Sequence, residues 1–202
     1  MIKSEKQLGV KLSKLKGFEV PEARLEQYIT PSEIAAKVLW YAYMNKDIEY
    51  HTVADLGCGT GVLGIGCLLL NCDKVSFVDI SSEALEVAKD NYKGLENGEF
   101  LNLDVHEFKE KVETVVMNPP FGVQREHADR EFLEKALEIG NVVYSFHKIE
   151  SQSFIDAFCK DNNAEAKKIF IFEFPLKATQ KFHKKKLYKV EVGVWRIQKI
   201  NK

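Results

Sequence analysis

Short runs of β-branched and aromatic residues recur along the chain, separated by stretches with helical spacing. Thr52–Leu56 (TVADL), Val75–Asp79 (VSFVD), Phe100–Leu103 (FLNL), Val112–Met117 (VETVVM) and Val142–Phe146 (VVYSF) read as strands. Val62–Leu70, Ser82–Tyr92, Asp129–Ile139 and Ser151–Lys160 carry the helical pattern. This alternation predicts βαβ units: a parallel sheet with helices on both faces. Lys168–Phe174 (KIFIFEF) and Tyr188–Ile197 (YKVEVGVWRI) follow with no good helix between them. Their clean alternation predicts an antiparallel pair at the end of the sheet. The expectation is one α/β domain over residues 1–202, with 1–24 a lysine-rich N-terminal helix or arm and 25–202 the core.

Upstream of the first strand, Thr30-Pro31-Ser32-Glu33 reads as a helix start. Thr30 serves as N-cap, Pro31 as the first helical residue, and Glu33 closes a capping box. Ile34, Ala35, Val38, Leu39 and Ala42 supply the apolar face of the helix that follows.

Composition changes this picture little, and charge changes it more. The 202 residues are 45% hydrophobic and 29% charged, which argues against disorder. No stretch approaches the about 20 apolar residues of a membrane span, and the first 17 residues lack the apolar block of a signal peptide. A cytoplasmic protein is expected. Its four cysteines, Cys58, Cys67, Cys72 and Cys159, form no CxxC pair and no zinc-like spacing, so reduced thiols and no metal are expected. The formal net charge of −1 hides an asymmetry: residues 163–202 carry +8, residues 1–20 carry +3, and the middle carries −12. Two basic ends suit a polyanionic partner, although solvated lysines account for the same numbers.

Asp55-Leu56-Gly57-Cys58-Gly59-Thr60-Gly61-Val62 follows the first strand and opens the first helix. Glycines there permit a tight turn and close approach of a ligand to the backbone. Gly59–Gly64 (GTGVLG) matches the dinucleotide pattern GxGxxG. Asp55, however, sets a carboxylate where a pyrophosphate would be repelled, and a cationic ligand without phosphate suits it better. Asp79, Asp104 and Asn118 end successive strands, and in an open parallel sheet those ends form one ligand-binding edge. Asp79 is placed to accept from two ribose hydroxyls. Asp104 is placed to accept from an adenine amine, with Ile80 and Val105 as apolar walls. For each Asp, capping of the next helix is the competing reading.

The segment Asp55–Gly61 (DLGCGTG), with acidic residues at the next two strand ends, resembles the class I S-adenosylmethionine-dependent methyltransferases. The resemblance spans roughly residues 25–200. It implies a Rossmann-like, seven-stranded, mostly parallel sheet whose last strand is antiparallel. It also implies that Gly57, Gly59, Thr60, Gly61 and Val62 line S-adenosylmethionine, with Asp79 at the ribose and Asp104 and Val105 at the adenine. S-adenosylhomocysteine is then the product.

Asn118-Pro119-Pro120-Phe121 follows the strand Val112–Met117. Two prolines fix the backbone and remove two N–H donors. The Pro119 carbonyl and the Asn118 amide oxygen are left as acceptors at a rigid corner, which suits an exocyclic NH₂ group. Such an amine is a poor nucleophile because its lone pair is delocalised into the ring. Accepting its hydrogens favours a pyramidal nitrogen, and the gain is largest in the transition state. Phe121 offers a face for stacking, on the order of 1–3 kcal/mol per base, and a base reached this way must be flipped out or unpaired. NPPF resembles the amino-methyltransferase signature shared by N6-adenine, N2-guanine and protein-glutamine enzymes. The tetrapeptide alone leaves these three open.

Leu25–Pro31 (LEQYITP), Tyr144–Lys148 (YSFHK) and Phe182-His183-Lys184-Lys185-Lys186 narrow the resemblance to the methyltransferase-like 5 family, which methylates N6 of an adenosine in small-subunit ribosomal RNA. The family pattern puts Gln27, Tyr28 and Thr30 over the cofactor. This chain has Ile29 where the family favours Pro, and Thr60 where Cys can occur; neither touches the proposed chemistry. The resemblance also admits a small zinc-binding activator subunit as partner. Three lysines beside Phe182 can bind RNA phosphates, and no length remains for a target-recognition domain, which favours RNA read by shape. His147 and His183 are expected to be packed or exposed rather than catalytic. The reading from a different class is a cofactor-binding scaffold for RNA without chemistry.

Overall fold

The computed structural model describes residues 2–18, 22, 25, 27, 29–121, 128–177 and 187–200, with only the backbone of 128, 175–177 and 187–189. Tyr28, Phe182, His183, Lys184, Lys185 and Lys186, named above, lie outside the described residues.

The chain begins with α1 (Glu5–Leu12) and α2 (Ser32–Met44), then enters the alternating part: β1 (Thr52–Leu56), α3 (Val62–Leu69), β2 (Lys74–Asp79), α4 (Ser82–Tyr92), β3 (Gly98–Asn102) and β4 (Val112–Met117). It continues through α5 (Ala128–Ile139), β5 (Gly140–Lys148), α6 (Gln152–Asp161), β6 (Ala164–Lys177) and β7 (Leu187–Lys199). The strands form one sheet in the order β3-β2-β1-β4-β5-β7-β6. The first five strands are mutually parallel, and β7 runs antiparallel to both of its neighbours. The expected α/β architecture with an antiparallel last strand is therefore realised.

Strands buried on both faces read as near-continuous apolar runs. The end of β4 shows this: Val116 belongs to the core cluster with α1, α2 and α3, while Val115 and Met117 belong to the one with α5 and α6. Asp55 interrupts the apolar run of β1 and lies in register with Phe77 and Val116 of the neighbouring strands. A second buried polar group ties the sheet's antiparallel side to the turn after α2. Asp47 accepts from Tyr144 Oη at 2.5 Å and from Arg196 Nε at 2.8 Å.

Within the lysine-rich 1–24 segment, Leu8 and Leu12, one turn apart on α1, are buried in the core cluster that includes α2 and α3. Two expectations need correction. The last two strands are longer than the alternation indicated, because β6 and β7 pair from Ala164↔Lys199 to Lys177↔Leu187. Their ends carry Lys, Glu and Pro, weak strand formers that the pairing overrides. Pro175 lies on β6, the edge strand, the place in a sheet where proline is tolerated. Finally, α2 has no side-chain cap. Its N-cap position is Pro31, and Thr30 makes no capping box.

Candidate active site

The carboxyl ends of β1, β2 and β4 meet where the strand order reverses around β1, the place in an open α/β sheet where ligands bind. A cavity of about 180 Å³ opens there. Gln27, Thr30, Asp55, Gly57, Gly59, Thr60, Val62, Asp79, Ile80, Asp104, Val105, Asn118 and Pro120 all line it. Gly61, Pro119 and Phe121 are the expected residues within the described set that do not. Leu25 of the LEQYITP segment and Leu103 beside Asp104 line it as well, as do Phe18, Glu131 and Phe132, which no sequence motif marks.

The glycine loop is pinned to β2. The N–H groups of Gly57 and Cys58 both donate to the Val78 carbonyl, at 2.8 and 3.0 Å. Gly57 and Gly59 adopt φ of +65° and +53°, a region other residues avoid. A Cβ on Gly57 would sit 3.0 Å from the Phe132 ring, and one on Gly59 would sit 2.9 Å from Phe18. The loop is thus compressed between two aromatic rings, and its glycines keep the cavity floor open. The N-terminal segment reaches this loop through Asn91 of α4. Asn91 Oδ1 accepts from the Lys16 N–H at 2.8 Å, while its Nδ2 donates to the carbonyls of Lys16 at 2.9 Å and Thr60 at 3.0 Å.

Four acidic side chains, Asp55, Asp79, Asp104 and Glu131, line the cavity, and burial acts on two of them. Asp55 is buried, and its Oδ2 accepts from the Gly64 N–H at 2.7 Å. Burial pushes its pKa up to about 7; the Gly64 bond opposes this and nearby Asp79 adds to it. Asp79 accepts from the N–H groups of Gly59 at 2.7 Å and Ser81 at 2.9 Å. Burial raises its pKa too, against the pull of these backbone bonds. A cavity holding two desolvated acids with no cation among its described lining residues favours a positively charged occupant.

Asp104 does act as a cap, the competing reading from sequence, and it also faces the cavity. It caps a short 3₁₀ turn, accepting from His106 N–H at 3.0 Å while Glu107 accepts from its own N–H. Ile80, 57% exposed, stands at the rim, its backbone held by Asn102 Nδ2, which donates to the carbonyls of Asp79 and Ile80. Gln27 turns its amide oxygen back to accept from the Glu22 N–H at 2.9 Å.

The NPPF corner closes the cavity beyond β4. Asn118 Nδ2 donates to Thr30 Oγ1 at 3.0 Å. Asn118 Oδ1 is buried and has no hydrogen-bond partner among the described residues. Phe121 is 8% exposed and packs edge-on against Phe174, so in this state its ring belongs to the core rather than to an open stacking surface. His147 does not line the cavity. It is buried with Nε2 2.6 Å from Ser145 Oγ, and burial lowers its pKa to about 3, as befits a packed neutral histidine.

Comparison with known proteins places these features in a family. A family profile described as "Methyltransferase small domain" matches residues 33–141. Protein MJ0284 of Methanocaldococcus jannaschii is 38% identical, covering 99% of this chain and 96% of its own. The rRNA N(6)-adenosine-methyltransferase METTL5 of Danio rerio is 35% identical, covering 93% of this chain and 95% of its own. The crystal structure of PH1948 from Pyrococcus horikoshii superposes with a TM-score of 0.91 at 43% identity, over 100% of both chains. With the family profile spanning the cavity-forming strands and these relatives matching nearly end to end, the chain belongs to the methyltransferase small-domain family and has METTL5 among its homologues.

Proposed function

We propose that this chain transfers a methyl group from S-adenosylmethionine to the N6 amine of an adenosine in RNA, with small-subunit ribosomal RNA as the substrate, leaving S-adenosylhomocysteine. The observation that carries the reading is Asn118 Oδ1, a buried acceptor with no donor among the described residues, on a residue that lines an acidic cavity. Buried polar atoms are nearly always paired, so an orphan in a cavity marks a place for a ligand's N–H. The full-length match to an rRNA N(6)-adenosine-methyltransferase supports an adenosine amine over the guanine and glutamine amines that NPPF leaves open.

The residues present fit the cofactor. Asp79 and Asp104 are the acceptors for its ribose and adenine, and both retain lone pairs beyond their backbone bonds. Ile80 and Val105 wall the adenine, while Gly57, Gly59, Thr60 and Val62 form the floor beneath it and Gly61 supports the loop. Gln27 and Thr30 cover it, and Asp55 faces its cationic part. When bound, the cofactor supplies an electrophilic methyl group on a sulfonium. Asn118 Oδ1 and the Pro119 carbonyl accept the amine's two hydrogens and draw the nitrogen lone pair out of the ring. With the cofactor held there, the methyl would pass to that nitrogen with the C–S electrons left on sulfur, and the nitrogen's surplus proton would go to solvent. Phe121 stacks on the base after its ring leaves Phe174. Phe182, His183, Lys184, Lys185 and Lys186 hold RNA phosphates in this reading.

The test is transfer of labelled methyl to small-subunit rRNA lacking the modification, followed by digestion to nucleosides and mass spectrometry. Label in N6-methyladenosine is expected. Label in N2-methylguanosine keeps the acceptor chemistry and overturns the base. No label in RNA while cofactor binds overturns the RNA reading.

A further inference from the structure

We infer that Thr30 is a positioning residue for the amine acceptor: its hydroxyl holds the Asn118 amide so that the oxygen, and not the NH₂, faces the substrate. The inference rests on the reading of Asn118 given above. The two ends of an asparagine amide have nearly the same shape and opposite chemistry, one accepting and the other donating. Rotation by half a turn about the last side-chain bond exchanges them at little steric cost. An NH₂ aimed at a substrate amine would set donor against donor and remove the acceptor on which the reaction depends. Something nearby must therefore choose between the two orientations.

A hydroxyl can accept or donate, and three observations point to Thr30 Oγ1 as the acceptor that holds this orientation. Asn118 Nδ2 donates to Thr30 Oγ1 at 3.0 Å. Oδ1, the other end of the same amide, is left buried and unpartnered among the described residues. Thr30 is only 6% exposed, so water does not readily replace its hydroxyl. The hydroxyl is free for this task because α2 does not use it as a cap. Its position is fixed by its neighbours: Pro31 restricts Thr30 to extended backbone, and α2 is anchored in the core by Ala35, Val38 and Leu39. The contact joins the segment before α2 to the end of β4, 88 residues later.

The experiment uses the full chain with Thr30→Val, which keeps the shape and removes the acceptor, and Thr30→Ser, which restores it. Both are compared with wild type for kcat and KM on RNA at saturating cofactor, and for cofactor Kd. We expect Thr30→Val to lower kcat at saturating cofactor about tenfold or more, whatever its effect on cofactor Kd, with most of kcat recovered in Thr30→Ser. A Val variant with wild-type kcat overturns the inference. So does a loss confined to cofactor Kd, which would make Thr30 a cofactor contact alone. A readout independent of turnover is hydrogen exchange at the Asn118 side-chain amide by nuclear magnetic resonance: slow in wild type and Thr30→Ser, faster in Thr30→Val. Equal exchange in all three also overturns it. The identity of the methylated nucleoside made by wild type tests the underlying reading separately, because the Val-to-Ser comparison can be scored on whichever amine receives the methyl.

Discussion

Asp55 is the residue at which the cavity's electrostatics are most exposed to test. Burial favours its neutral form, and one hydrogen bond from Gly64 N–H does not cancel that preference, so its pKa sits at about 7. A carboxyl that ionises near pH 4 when unfolded and near pH 7 when folded binds a proton in the native state alone between those values. Stability from this group is therefore present at low pH and is lost as pH rises through the interval. Asp55→Asn keeps an acceptor for Gly64 and cannot ionise. Its thermal midpoint, relative to wild type, should rise steadily between about pH 5 and pH 8; a constant offset would contradict the assignment. At this scale the sequence was informative about charge and less so about partners. Asp55 is legible because it sets a carboxylate beside a glycine loop. Thr30 was read as a helix cap, since capping rules are local, whereas its actual partner Asn118 is remote in sequence.

The N-terminal segment shows the same contrast for whole elements. The strand–helix alternation of residues 52–161 was legible because each element carries its own period and its own breakers. Helix α1 was obscured: in eight residues only Leu8 and Leu12 are buried, and lysines surround them. What α1 and the turn after it do for the site became visible only through Asn91, which joins the Lys16 backbone to the Thr60 carbonyl and so sets Phe18 against the glycine loop. Asn91→Ala should weaken S-adenosylmethionine binding, measured by calorimetry, about tenfold through loss of these three bonds. Lys16→Ala leaves the backbone bonds in place and removes an exposed ion pair with Asp90, so it should change affinity little. Equal affinities for the Asn91 variant and wild type would show that the segment is not part of the cofactor site.

Across the whole molecule, the sheet order puts acids from β1 and β2 and the acceptor corner after β4 around one crevice, although they are spread over more than 60 residues of chain. The glycine loop, the strand-end acids and NPPF could be placed on that edge from sequence because a parallel sheet gathers its carboxyl ends. The aromatic clamp of Phe18 and Phe132 and the burial of Phe121 against Phe174 could not, since these contacts depend on how remote segments pack. The central claim is that the Asn118 oxygen, without a partner among the described residues, activates the substrate amine. Single-turnover methyl transfer to RNA by Asn118→Ala, with cofactor and RNA both saturating, tests it most directly. The account predicts a rate lower by about a hundredfold or more, with cofactor affinity near that of wild type. A variant that binds both partners and transfers methyl at the wild-type rate would contradict it.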